Sequence, residues 1–300
     1  MKLFEMEVEL GEGIPIGGLT VFPLIGNDLG GSDYLTGSEA LETALIEVGE
    51  LDPPQVPFLQ VNNIGDEPVL LIEGEILIGA DQNRTTNVTV LCPPRARTVI
   101  PVTCVEAGRW GRGARRSMKR KSKSAPGSLR AGKTARLSPR SHDVTDRRSD
   151  QGMVWAGVSG YETAHGAVSD TSALDDVQEK VEERIAPDLD RLVPERNQVG
   201  LVCTIGDDVV GMDLFDHAAT LAKYLRSIVA GHALDATSTK ESVDPIGAIE
   251  RFLTQVDVAT RENGEGVGLG EELLLRGQIT GVGLKYEGHL VHIGAFPGID

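Results

Sequence analysis

Residues 69–110, VLLIEGEILIGADQNRTTNVTVLCPPRARTVIPVTCVEAGRW, decide how this chain is read. Short apolar runs are broken by Gly, Asp and Pro, a pattern that suits buried β-strands better than helices. Strands are expected near 57–62, 68–73, 75–80, 85–92 and 97–106. Set among these runs are residues that are costly to bury, namely Glu73, Glu75, Gln82, Asn83, Arg84 and Glu106. Any site would start there.

Upstream, Phe4, Met6, Val8 and Leu10 alternate with Glu5, Glu7 and Glu9, a period-two strand pattern, and LTVFPLI at 19–25 reads as a second strand. Thr36 and Glu39 have the spacing of a capping box, which predicts a helix from Thr36 to about Val48. Downstream, the period changes and helices are expected near 149–162, 174–191, 214–231 and 246–257. The segment QVGLVCTIGDDVVGMDLF (198–215) reads as a hairpin turning at Gly206 and Asp207, and Asp213 as the N-cap of the helix after it. The tail LLLRGQITGVGLKYEGHLVHIGAF (273–296) supplies the last strands, turning at Glu287 and Gly288. The expected class is α+β: a mainly β region over 1–110, a basic flexible loop over 111–148, and an α+β region over 149–300. The final strands should join the sheet system begun by the first, so that one interlocked domain is an open alternative.

The chain has 300 residues, 40% of them hydrophobic and only 4% aromatic, so Leu, Val, Ile and Ala must fill the core. The N-terminus lacks the apolar stretch of a signal peptide and no run is long enough to span a bilayer, so a cytoplasmic protein without a membrane partner is expected. Cys92, Cys104 and Cys203 form an odd, sparse set that suggests reduced thiols. Charge is segregated. Residues 111–150 carry 13 basic and 3 acidic side chains, whereas the other 260 carry 16 and 42. Such a basic segment can dock an acidic protein partner or fold back on its own acidic body. Nucleic acid is disfavoured, because the loop offers no aromatic side chain on which a base could stack.

No complete catalytic triad, phosphate loop or metal-ligand series is found. His289 and His292 are three apart, which in a strand puts them on opposite faces, so no metal and no cofactor are expected. Asp207 and Asp208 are explained by turn chemistry.

The blocks ALIEVGEL, PVLLIEGEILIGADQNR, IPVTCVEAGRW, IGDDVVGMDLF and HLVHIGAF together resemble the ARPP-1 domain family, the ADP-ribosylglycohydrolase and rhodanese-phosphatase associated protein domain. The resemblance runs from about residue 15 to 296. It implies association with ADP-ribose-processing enzymes in NAD-consuming pathways and carries no mechanism. The expected role is therefore an accessory protein that binds a phosphorylated or nucleotide-like ligand.

Gln82, Asn83, Arg84, Arg109 and Trp110 are the candidate ligand-binding residues. Arginine offers a planar fork for an anion, the amides read donors and acceptors, and a tryptophan can stack on a ring. The bland alternative is that they close strand ends and satisfy loop carbonyls. Glu75, Cys104 and Glu106 are the candidate catalytic residues of an enzyme of NAD or ADP-ribose metabolism. Glu75 could carry a raised pKa, although a bend at Gly74 would turn both it and Glu73 to solvent. Cys104 and Glu106 share one strand face, and Arg109 beyond them could activate the thiol, yet a strand cysteine is commonly a small core residue. A scaffold that uses the basic loop is the third alternative.

Overall fold

A computed structural model describes residues 1–31, 33–79, 81–108, 123–137, 144–238 and 240–299. The N-terminal part contains strands β1 (Lys2–Leu3), β2 (Met6–Leu10), β3 (Ile14–Ile16), β4 (Leu19–Gly26) and β5 (Leu35–Thr36). Helix α1 (Gly37–Glu42) follows, then β6 (Ile46–Gly49), β7 (Phe58–Asn63), β8 (Val69–Leu71), β9 (Glu75–Leu77), β10 (Arg84–Thr86), β11 (Val90–Cys92) and β12 (Ala96–Cys104). The capping box is present, with Thr36 and Glu39 exchanging hydrogen bonds. The helix is shorter than its apolar pattern suggests. Ala44 turns left-handed at φ 55°, and the apolar residues after it enter β6 and pair with β7.

The rest contains β13 (Lys123–Ser124), α2 (Gly127–Thr134), α3 (Gln151–His165), α4 (Leu174–Leu189), β14 (Gln198–Ile205), β15 (Asp208–Phe215), α5 (Ala218–His232) and α6 (Pro245–Val258). Strands β16 (Thr260–Glu265), β17 (Glu271–Arg276), β18 (Ile279–Tyr286) and β19 (His289–Pro297) end it. The fold is α+β, and the C-terminal strands join the sheet opened by the N-terminal ones. That sheet runs β1-β2-β4-β14-β15-β19-β18-β17-β16, with β3 paired to β4. A second sheet runs β13-β9-β10-β12-β7-β6 and a third β11-β8-β5. Helix α6 covers one face of the large sheet through Ile249, Phe252, Leu253 and Val256. Apolar residues of α3, α4 and α5 share a core with the opposite face and with Leu70, Ile72 and Ile76 of the second layer. No helix among the described residues is long and apolar enough to cross a membrane.

The expectation of a flexible basic loop over 111–148 fails for residues 123–137. They form β13 and α2, and seven residues of α2 are buried, including Arg130 and Lys133 at 0% exposure. Residues 109–122 and 138–143 lie outside the described set. The Arg130 guanidinium donates to Glu73 Oε2 at 2.8 Å and, in a bidentate pair, to the two Asp213 oxygens at 2.9 and 2.6 Å. Asp213 is therefore a core residue of β15 and not the N-cap expected of it. Helix α5 is capped from outside, with Asp28 accepting from the Ala218 amide at 2.9 Å.

Glu73 and Glu75 flank a bend at Gly74, φ +82°, but the bend faces inward and leaves the two carboxylates 0% and 2% exposed. Lys133 Nζ lies 3.3 Å from Glu73 Oε1 and donates to Thr85 Oγ1 and to the Thr86 carbonyl. Glu75 takes the Ile72 amide and faces the Tyr224 hydroxyl at 3.4 Å. His292 lies between Thr89 Oγ1 at 2.8 Å and Asp213 Oδ1 at 3.1 Å, while His289 is exposed. Since a carboxylate only accepts, Nε2 of His292 carries the proton and Nδ1 accepts from Thr89.

Burial alone would raise the Asp213 pKa, but Arg130 and the two histidines hold it well below the ordinary carboxylate value. Burial pulls Lys133 down to about 8, against the opposing pull of Glu73. Replacing one partner of a buried ion network costs on the order of 3–5 kcal/mol, because it strands the others. Arg130→Met should therefore lower stability by about that amount in urea titrations, and Lys133→Met by less, since Arg130 still neutralises Glu73. The pH dependence has a definite sign. Between the folded value of about 8 and the ordinary 10.5, the unfolded chain binds the proton that the fold rejects. The stability of the wild type relative to Lys133→Met should therefore rise across that window, and a flat difference would refute the assignment.

Candidate functional site

Strands β10 and β12 pair antiparallel with Arg84 opposite Cys104, so the residues singled out in the sequence meet at one end of this pair. The Cys104 thiol donates to Gln82 Oε1 at 3.2 Å. Arg84 donates from Nε to the Val56 carbonyl at 3.2 Å, and its Nη2 stands 3.6 Å from Glu50 Oε1. Glu106 accepts from the Asn83 amide at 3.0 Å through one oxygen and from Thr171 Oγ1 at 2.8 Å through the other. Asn83 Oδ1 takes the Gly79 amide, and Gln82 Nε2 donates to the Ala107 carbonyl. Gln151, at the start of α3, adds two bonds that mimic a strand, taking the Cys104 amide at 2.9 Å and giving to its carbonyl at 2.8 Å. The network thus ties β10, β12, the loop before β7 and α3 together.

The side chains of this cluster are buried: Arg84 0%, Gln82 3%, Glu106 3% and Asn83 5% exposed. Its edge reaches the surface at Ala107 and Gly108, both exposed. Arg109 and Trp110, expected to complete it, lie outside the described residues. Glu75 belongs elsewhere, beside Tyr224 and Ile72. Burial pushes the Cys104 thiol up, and Arg84 only partly offsets this. It pushes Glu50 up in the same way. A thiol held protonated does not suit the nucleophile role considered for Cys104. Gln, Asn and Arg side chains supported by neighbouring backbone do suit recognition of a polar ligand. Among the described residues no group of three or more His, Cys, Asp or Glu side chains is arranged to hold a metal ion.

The sequence reading passed over Glu50 and Gln151. Glu50 follows β6 without any pattern to mark it, and Gln151 looks like an ordinary first-turn residue of a helix. It also passed over a motif. Residues 127–134, GSLRAGKT, have the G-x-x-x-x-G-K-[ST] spacing of a phosphate-binding loop, contrary to the expectation that the chain has no such pattern. The fold gives the segment another use. A phosphate cradle needs a loop ahead of a helix with the lysine at the helix start, whereas here all eight residues are helical and Lys133 is buried near the C-terminal end against Glu73.

The three cysteines are free and buried, and burial pushes Cys92 up to about 12 as well. In native protein an aromatic disulfide reagent should label none of the thiols quickly, and in urea it should label all three. Rapid labelling of Cys104 in the native state would show that its environment is open and activating.

Comparison with curated proteins returned no match, and comparison with solved structures returned none either. A family profile does match: the ARG and Rhodanese-Phosphatase-superfamily-associated Protein domain, over residues 7–296. A match of that extent takes in strands of all three sheets and the network around Gln82, and the chain belongs to the ARPP-1 family.

Proposed function

We propose that this protein is a cytoplasmic, ligand-binding accessory component of an NAD- or ADP-ribose-linked pathway. Its ligand is a nucleotide-like or phosphorylated small molecule read by Gln82, Asn83 and Arg84, with Arg109 and Trp110 assigned from the sequence. The observation that carries the reading is the convergence of Gln82, Arg84, Cys104 and Glu106 in one hydrogen-bonded network that reaches the surface at Ala107 and Gly108. The ligand class is supported by the family description, which links the domain to ARG and rhodanese-phosphatase proteins. The chemistry is compatible, since Arg84, held by the Val56 carbonyl, the Gln82 amide and Glu50, brings a cation to the polar cluster.

An enzyme built on Glu75, Cys104 and Glu106 has less support. Glu75 is in a different environment, Cys104 is disfavoured as a thiolate, and Glu106 spends its oxygens on Asn83 and Thr171. A scaffold working through the basic segment loses Arg130 and Lys133, which are spent inside the fold.

The test is thermal stabilisation by NAD, ADP-ribose, ribose phosphates and nucleotides. A ligand at 100 times its dissociation constant adds about 2.7 kcal/mol, enough to shift the midpoint by a few degrees in a chain of this size. The shift should vanish in Gln82→Ala and in Arg84→Ala, provided circular dichroism shows both folded. Absence of a shift with every compound, or an equal shift in folded Arg84→Ala, would overturn the assignment.

A further inference from the structure

A second feature lies on a different part of the molecule. Helices α2 and α3, the β14–β15 hairpin and the C-terminal strand end bound a cavity of about 770 Å³. That is within the roughly 300–1,000 Å³ typical of small-ligand sites. Its walls are mainly apolar, formed by Leu129, Met153, Val209, Val210 and Ile299. Polar groups gather at Ser128, Tyr161 and Asp235. Asp235 Oδ1 accepts from Ser128 Oγ at 2.7 Å and from the Tyr161 hydroxyl at 2.6 Å, while Oδ2 accepts from the Ser128 amide at 3.2 Å.

We propose that this cavity binds an amphiphilic amine, with its protonated nitrogen on Asp235 and its apolar body along Leu129, Met153 and Val210. Charge matching at Asp235 selects a cation. Asp208, also on the cavity wall, is paired with Lys240 at 2.6 Å. All three groups that donate to Asp235 are neutral, and no cation among the described residues pairs with it. A carboxylate offers about four acceptor positions, of which three are used, so one is left for an ammonium donor. The Tyr161 phenol cannot supply the missing charge, and burial together with Asp235 keeps it protonated.

A phosphate here would meet an uncompensated carboxylate and is repelled. An ammonium instead gains a charge-assisted hydrogen bond, with an apolar wall beside it for the rest of the molecule. The chain's net charge of −16 favours the approach of cations. Capping of α2 explains why Asp235 meets the Ser128 amide, but it explains neither the missing counter-cation nor the space beside it. Gly160 lines that space, and a Cβ added there would meet nothing within 4 Å.

The test is calorimetric titration of the full chain with 2-phenylethylamine and with the neutral 2-phenylethanol. The amine is expected to bind at least about tenfold more tightly, the usual minimum for a hydrogen bond to a charged group. Asp235→Asn, which keeps an acceptor for the Ser128 amide, should erase that preference. Gly160→Leu, which adds bulk where space is open, should abolish binding of both probes. Arg84→Ala should leave amine binding unchanged, which separates this site from the nucleotide-type site proposed above. No amine binding at millimolar concentration overturns the proposal, as does equal binding of amine and alcohol. If Asp235→Asn fails to fold, undiminished binding in Gly160→Leu overturns it.

Discussion

A single buried guanidinium joins the parts of this fold. Arg130 comes from α2, Glu73 from the bend between β8 and β9, and Asp213 from the middle of the large sheet, and no water replaces these contacts because all three are fully buried. The geometry leaves little freedom. A Cβ added at Gly74 or at Gly294 would lie 2.6 Å from the guanidinium, so both glycines are needed for the backbone to close around it. His292 and Thr89 complete the shell through hydrogen bonds that also fix the histidine tautomer. An apolar cluster of equal volume could be as stable. What the ionic centre adds is register, because only one placement of α2 satisfies two carboxylates at once.

The Gln82–Arg84 network and the amine-sized cavity both depend on that placement. Helix α2 supplies Ser128 and Leu129 to the cavity, and β13 just before it extends the second sheet beside β9, which pairs with β10. Ion pairs from Lys123 to Asp175 and Glu179 fasten the same segment to α4. A stretch that reads as surface therefore forms part of the framework on which both candidate sites stand.

Much of the fold was legible in the sequence where a period and a turn residue agreed. The alternation from Met6 to Leu10, though not Phe4 and Glu5, which turn between β1 and β2, the hairpin at Gly206, the turn at Glu287 and Gly288, and helices α3, α4 and α6 all rest on such agreement. The capping box located the start of α1, but no local signal marked its early end at Ala44. The basic segment was misread for a physical reason. Composition reports average polarity, and a helix whose cations are neutralised by carboxylates about 57 to 83 residues away looks like a solvated loop until the fold is known. The same long-range pairing hid Asp213, since an aspartate before a helix resembles a cap. The Gln82–Arg84 site was partly legible because three polar residues interrupt apolar strands. Glu50 and Gln151 were not, because their roles come from strand pairing and from a helix end arriving from elsewhere.

The strand order of the large sheet sets a schedule for folding. Strand β4 has β2 and β3 on one side, but its other neighbour is β14, which begins at Gln198. During synthesis that edge must wait for roughly 170 further residues, an interval of about 10–30 s at ordinary elongation rates. Throughout it Val21, Phe22 and Leu24, all buried in the finished protein, have only β2 and β3 beside them. Contacts of such long range fold slowly, and unpaired edges invite association with other chains. The nascent N-terminal strands are thus a natural client for chaperones, and the closing of β14 onto β4 is the event that ends their exposure.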